Sequence, residues 1–223
     1  STAAFSSPTY TVNDTNAFAL ITVTRVGSDL NPLYATWVVT DGGTGVLGTD
    51  FKADSGIFVL ESGKTTATFQ FPVSHNYALG DRTVQLALYP APGGVPSTAT
   101  LTIANTDLPG TIQFLKSTTT GPTKASGPTN LDLVVKRASG FASGVTVDFV
   151  ATDGTALAGA DYVVVTSPQT LTFGARETTK RIRLQLMRQP HPSNPSFTVS
   201  LTNPGSGATL GSRVTHTVTI REK

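Results

Sequence analysis

Gly43, Gly45 and Gly48, in the stretch VVTDGGTGVLGTDF, stand at the spacing of a dinucleotide-binding loop and follow directly on a strand-like run. Such a loop works only when its last glycine opens a helix whose N-terminal amides hold a pyrophosphate. The residues that follow, TDFKADSGIFVLESGKTT, have no apolar positions at helical spacing, so no cofactor-binding residue is assigned and no cofactor is expected. Asp41 and Asp50 of the same stretch could serve a cation, because calcium takes about six to eight oxygens, several of them carboxylate. His75, His191 and His216 are the only imidazoles, and none has a second histidine or a cysteine at ligand spacing. His75 and His191 are therefore read as solvated loop residues, and His216 as the opening of a different strand. The chain has no G-x-S-x-G elbow, H-E-x-x-H pair or cysteine nucleophile, so no catalytic residue is assigned and an enzyme is not expected.

A second version of the glycine loop, TDGTALAGADY, keeps Gly154 and Gly159 but lacks the three-glycine spacing. Both versions share Asp-Gly, a run of small residues, then Gly-x-Asp-aromatic. That is what a loop between strands requires: glycine supplies positive φ, and aspartate side chains bond nearby backbone amides. Asp41, Asp50, Asp153 and Asp161 are accordingly read as turn-capping residues, with Gly48 and Gly159 in equivalent turns. The repeat runs further, since ITVTRVGSD around Arg25 answers LDLVVKRASG around Arg137, and STATLTI answers VTHTVTI. Asp153 follows Asp41 by 112 positions and Asp161 follows Asp50 by 111, a period that matches a whole domain and not a solenoid unit. Two tandem domains are expected, 1–107 and 108–223, joined near NTDLPG.

The elements that carry these loops have a hydrophobic period of two. Ala67, Phe69, Phe71 and Val73 alternate with Thr66, Thr68, Gln70 and Pro72, and Ile182, Leu184 and Leu186 alternate with Arg181, Arg183 and Gln185. Half-buried antiparallel strands read this way, one face apolar and one wet. About seven such strands per copy, separated by Gly, Pro, Asn and Asp clusters, predict an all-β chain of two immunoglobulin-like sandwiches with no helix.

The 223 residues include no cysteine, so disulfides and thiol chemistry are excluded. Sixteen basic and fourteen acidic residues leave a net charge of +2 without a basic cluster, which argues against nucleic acid as a partner. No apolar run approaches the ~20 residues of a membrane span, and no membrane insertion is expected. The triplet Asn13-Asp14-Thr15 fits an N-glycosylation acceptor, a pattern that also arises by chance.

Phe149, Thr152, Asp153, Gly154, Thr155, Ala156, Gly159, Asp161 and Tyr162, followed by Leu171, Phe173, Glu177, Lys180, Phe197, Val199, Leu201 and a closing TVTI, resemble the Calx-beta signature. The first copy keeps Trp37, Asp41, Gly48, Asp50, Phe51 and TLTI. The resemblance implies an immunoglobulin-like sandwich of the kind found in sodium-calcium exchangers, an integrin tail and large extracellular bacterial proteins. It also implies, for calcium-binding members, carboxylates converging at one end of the sandwich from the D-G-T loop, an acidic segment and an acidic run after T-I. Here the acidic segment reads VSHNYALGDR in one copy and LMRQPHPSNPS in the other. By position the first copy retains Asp41, Asp81 and Asp107, with Arg82 in place of a glutamate and free to pair with an aspartate. The second retains Asp153 beside Glu222, with Asn194 and Pro195 at former acidic positions. On this reading no metal ligand is assigned, and a weak calcium site at Asp41, Asp81 and Asp107 stays open.

The expected function is that of a non-catalytic structural or adhesive spacer, monomeric within a longer bacterial protein that is secreted or displayed at the cell surface. Its partners would be other surface proteins or glycans. Two alternatives stand beside it, a calcium-responsive binding module and an accessory or glycan-binding module of a secreted enzyme. A glycan would need exposed aromatics, for which Tyr34, Tyr77 and Tyr89 are the candidates, while Trp37 aligns with Phe149 and is read as core.

Overall fold

The computed structural model describes residues 1–28, 30–121, 128–187 and 193–221. It divides into two compact units, Ser1–Thr106 and Asp107–Lys223. No helix occurs among the described residues.

The first unit is built from β1 (Thr2–Phe5), β2 (Thr9–Asn13), β3 (Phe18–Val26), β4 (Leu33–Thr40), β5 (Ser55–Leu60), β6 (Thr66–Pro72), β7 (Arg82–Ala91) and β8 (Ser97–Ala104). Strands β1-β3-β6 form one sheet and β2-β8-β7-β4-β5 the other. Alternation sends Ile21, Val23, Phe71, Leu86, Leu88 and Leu101 into a single apolar core between them. Trp37 belongs to that core, its ring stacked on Phe69 at 5.3 Å between centroids. Tyr34 on β4 and Tyr89 on β7 stay exposed.

The second unit contains β9 (Thr111–Phe114), β10 (Thr118–Thr120), β11 (Thr129–Ala138), β12 (Val145–Thr152), β13 (Tyr162–Val164), β14 (Thr170–Phe173), β15 (Thr179–Leu186), β16 (Ser196–Thr202), β17 (Thr209–Leu210) and β18 (Thr215–Thr219). The sheets run β10-β18-β16-β12-β14 and β13-β15-β11-β9-β17. The strand count exceeds seven in both units because short edge pieces, such as β13 and β17, pair at the margins of the sheets.

One pairing governs the geometry of each unit's end. An early edge strand lies parallel to the last long strand, β2 on β8 in the first unit and β10 on β18 in the second. A parallel partner far away in sequence puts the exit of the early strand next to the exit of the final one. Asp14 thus follows β2 and donates its amide to Ala104 O at 2.9 Å. In the second unit Gly121 follows β10 and donates its amide to Thr219 O at 2.7 Å. Thr100 N donates to Pro8 O and Thr217 N to Ser117 O, each at 2.9 Å, so Gly121 stands where the first unit has Val12, and the counterpart of Asp14 lies outside the described residues.

The glycine loops superpose just as clearly. Thr83 N donates to Thr44 Oγ1 at 2.9 Å, and Ser196 N donates to Thr155 Oγ1 at 2.9 Å. A Cβ on Gly43 would stand 2.5 Å from Thr83 O, and one on Gly154 would stand 2.5 Å from Ser196 O. Gly43, Gly45 and Gly48 therefore match Gly154, Ala156 and Gly159, and Gly42 is the extra residue that changes the repeat offset from 112 to 111. The three-glycine spacing is a local accident in a strand-to-strand loop.

Candidate metal centre

Most of the loop carboxylates shared by the two copies serve the loops themselves. Asp50 Oδ2 accepts the amide of Val46 at 2.7 Å, and Asp161 Oδ2 accepts that of Leu157 at 2.8 Å. Both are buried, as a carboxylate can be when backbone amides satisfy it. Asp153 Oδ1 accepts the Ala158 amide at 2.9 Å and the Tyr162 hydroxyl at 2.6 Å. These residues cap turns, as the repeat suggested.

The proposed trio of Asp41, Asp81 and Asp107 is not brought together as a ligand set. Asp41 is exposed beside the glycine loop. Asp81 accepts the Asn105 amide at 2.9 Å. Arg82 does not pair with an aspartate as expected; its Nη1 donates to the carbonyls of Gly80 at 3.0 Å and Leu79 at 3.2 Å, closing its own turn.

Asp107 belongs to the second unit, and what the first unit brings together instead is Asp14 and His75. Each is delivered by a separate backbone device. Asp14 is placed by the parallel β2–β8 pairing and is 4% exposed. His75 sits on the segment after β6, which is pinned on both sides. Val73 N donates to Ala17 O at 3.0 Å and Ser74 N to Asp50 O at 2.8 Å. Beyond the histidine, the Asn76 side-chain amide donates to Asp50 Oδ1, and Asn76 Oδ1 accepts the Ala78 amide at 2.8 Å. Asp50 therefore positions His75 through the backbone and through Asn76.

The imidazole points at the buried carboxylate, with Nε2 3.6 Å from Asp14 Oδ2. The Tyr77 ring lies against it at 4.6 Å between centroids, tilted by 46°. His75 is an exposed loop residue, as expected, and it also faces the Asp14 carboxylate on one side and the Tyr77 ring on another. Tyr77, packed against it, is not an open platform for a sugar. His216, by contrast, is buried, its Nδ1 2.6 Å from Lys116 O and its Nε2 2.9 Å from Thr119 Oγ1. A carbonyl can only accept, so Nδ1 carries the proton and Nε2 accepts the threonine hydroxyl. His191 and Glu222 lie outside the described residues.

The second unit has no counterpart of this group among its described residues. The position matching Asp14 lies outside the described residues, and Met187, whose amide donates to Asp161 O at 2.7 Å, occupies the place of Ser74. Pro195 O accepts the Ile220 amide at 2.8 Å, a backbone bond near the former acidic position. Sequence reasoning missed Asp14 because it read the residue within a glycosylation triplet. The available signal was its position at the end of the strand that pairs with TLTI.

A family model for the Calx-beta domain matches twice, over residues 1–107 and 105–223. Among solved structures, the calcium binding domain CBD12 of CALX1.1 is 22% identical, covering 97% of this chain and 98% of that one, with a TM-score of 0.46. The apo form of the Calx CBD1 domain is 24% identical over 50% of this chain and 96% of its own, with a TM-score of 0.44. The titin domains z1z2 in complex with telethonin are 16% identical over 100% and 98%, also at 0.44. No curated protein matches the chain.

Proposed function

The chain belongs to the Calx-beta family in both of its halves, and from that premise we infer a non-catalytic binding module whose first domain answers to a divalent cation while its second acts as a structural spacer. The observation that carries this reading is the approach of His75 Nε2 to the buried Asp14 carboxylate at 3.6 Å in the first domain, whereas in the second the loop carboxylate of Asp153 is engaged by Tyr162. As an independently stable sandwich the second domain needs no metal to fold. The module fits a longer secreted or cell-surface protein, with other surface proteins or glycans as its partners.

A melt of the whole chain in about 1 mM of calcium, magnesium, manganese or zinc, against a chelator at matched ionic strength, tests this reading. A site filled about 100-fold above its dissociation constant adds about 2.7 kcal/mol, which is several degrees for a domain of this size. The first-domain transition should rise with at least one cation and the second should not move. If no cation moves either transition, the chain is a spacer alone.

A further inference from the structure

Charge is divided unevenly between the two domains. Residues 107–223 hold twelve of the sixteen basic residues and seven of the fourteen acidic ones, whereas residues 1–106 hold four basic and seven acidic residues. Several acidic groups of the second domain are engaged elsewhere. Asp161 is buried in its turn, Asp153 is held by Tyr162, Glu177 pairs with Lys180 at 2.7 Å, and Asp148, on the sheet that contains β12, accepts the Thr170 hydroxyl at 2.6 Å.

The basic groups meet on the outer face of the other sheet, β13-β15-β11-β9-β17. Alternation along β15 buries Ile182 and Leu184 and leaves Arg181 and Arg183 exposed. Register sets Arg183 opposite Asp132 and Arg181 opposite Val134, and puts Lys136 between Thr179 and Gln113. Asp132 accepts Arg183 Nε at 2.8 Å and Nη2 at 3.0 Å, and stands 3.8 Å from Arg181 Nη1. That two-pronged bond matches the charge of Asp132 to Arg183 and leaves Arg181 and Lys136 in surplus.

A cleft adjoins these residues. Leu115, whose amide donates to Val134 O at 2.9 Å, is where β9 leaves β11 and the chain crosses to β10 in the opposite sheet. The crossing opens a cavity of about 280 Å³ lined by Leu115, Leu131, Leu133 and Val134, with Lys116 and Asp132 at its polar side. Lys116 is exposed, so its ammonium adds to the surplus. A ligand matched to these groups needs an apolar surface for the leucines and negative charge for the cations. A pyranose ring bearing a carboxylate has both, with C–H groups on its face and the acid at its edge. Nucleic acid lacks its usual footing, because Phe114 and Tyr162, the aromatic residues of these strands, are buried and give no base a ring to stack on.

We propose that the second domain binds a carboxylate-bearing glycan on this face, the cleft seating a sugar ring and Lys116, Lys136 and Arg181 pairing with its acid groups. The inference goes beyond the cation-responsive reading, which concerns the first domain, and adds a binding role to the second domain's role as a spacer.

Isothermal titration of the whole chain with polygalacturonate tests it, with dextran as a neutral polymer and single-stranded DNA as a second polyanion. All three run in a chelator, so no outcome bears on the cation-responsive reading. Polygalacturonate should bind, more weakly as salt rises, and dextran should not. Lys116→Gln with Arg181→Gln, which removes two charges but keeps polar side chains, should weaken binding at least about tenfold with an unchanged melt. Lys52→Gln with Lys64→Gln, the same loss of charge in the first domain, should change it less than about twofold. Equal binding of dextran overturns the role of charge, and tighter binding of DNA overturns the glycan. Binding that survives Lys116→Gln with Arg181→Gln overturns the site, and no binding of polygalacturonate overturns the proposal as a whole.

Discussion

Tyr162 donates its hydroxyl to Asp153 Oδ1 across 2.6 Å, while its ring lies flat on Phe197 at 3.7 Å between centroids. The equivalent residue of the first domain is Phe51, which has no hydroxyl to offer Asp41. Burial first, then the bond to Asp153 and its charge, hold the phenol well above the usual tyrosine range. Tyr162→Phe should lower the stability of the second domain by about 1.5–3 kcal/mol, the value of a hydrogen bond to a charged group. Urea unfolding of the single variants and of Tyr162→Phe with Asp153→Ala checks this, because two changes that break one bond should cost less together than their sum.

Arg137 is 2% exposed, and among the described residues its partners are backbone carbonyls. Its guanidinium donates to the carbonyls of Pro109 at 2.7 Å, Gly174 at 3.0 Å, Ser143 at 3.2 Å and Ala142 at 2.5 Å. Burial lowers its pKa, but an arginine remains charged. Arg137→Lys cannot reproduce a planar fork with four acceptors, and Arg137→Ala leaves those carbonyls without it. Both should destabilise the second domain, by about 3 kcal/mol or more for alanine. Thermal melts of the two variants should rank alanine below lysine and lysine below the parent.

His216 gives the second domain a dependence on acid. Burial lowers the folded-state pKa below the ordinary 6.5, so the unfolded chain takes up the proton first as pH falls. Stability from this residue is complete above about pH 6.5 and declines below it until the folded form also protonates. Melts from pH 8 to about pH 5 should show the second transition falling, and His216→Gln should flatten that slope.

Gly159 has a φ of +80°, and a Cβ built there meets nothing within 4 Å. The strain of a larger residue is therefore confined to the backbone. Gly159→Val should cost roughly 1 kcal/mol or more, with Gly159→Asn milder because asparagine tolerates the left-handed region. Lys180→Ala, which removes a half-exposed pair with Glu177 at 2.7 Å, should cost under about 1 kcal/mol. Equal urea midpoints for Gly159→Val and Lys180→Ala would contradict the turn.

The strands and the two-domain plan could be read from the sequence because each depends on local pattern. Alternation at Phe69 and Phe71, or at Ile182 and Leu184, is enough to say which face is buried, and a repeated Gly-x-Asp-aromatic is enough to place a turn at Gly48 and Gly159. The capping roles of Asp50 and Asp161 were also legible, since their amide partners lie four residues away. Only the tertiary structure decided the rest. Asp14 meets His75 because β2 runs parallel to β8, a pairing between residues about ninety positions apart that no periodicity records. Tyr162 meets Asp153 through a loop whose path depends on Gly154 passing close to Ser196 O. Sequence periodicity specifies which side of a strand faces inward, but the meeting of two distant side chains depends on strand order and register. Those are set by the packing of whole sheets, and so the Asp14–His75 pair became visible only in the fold.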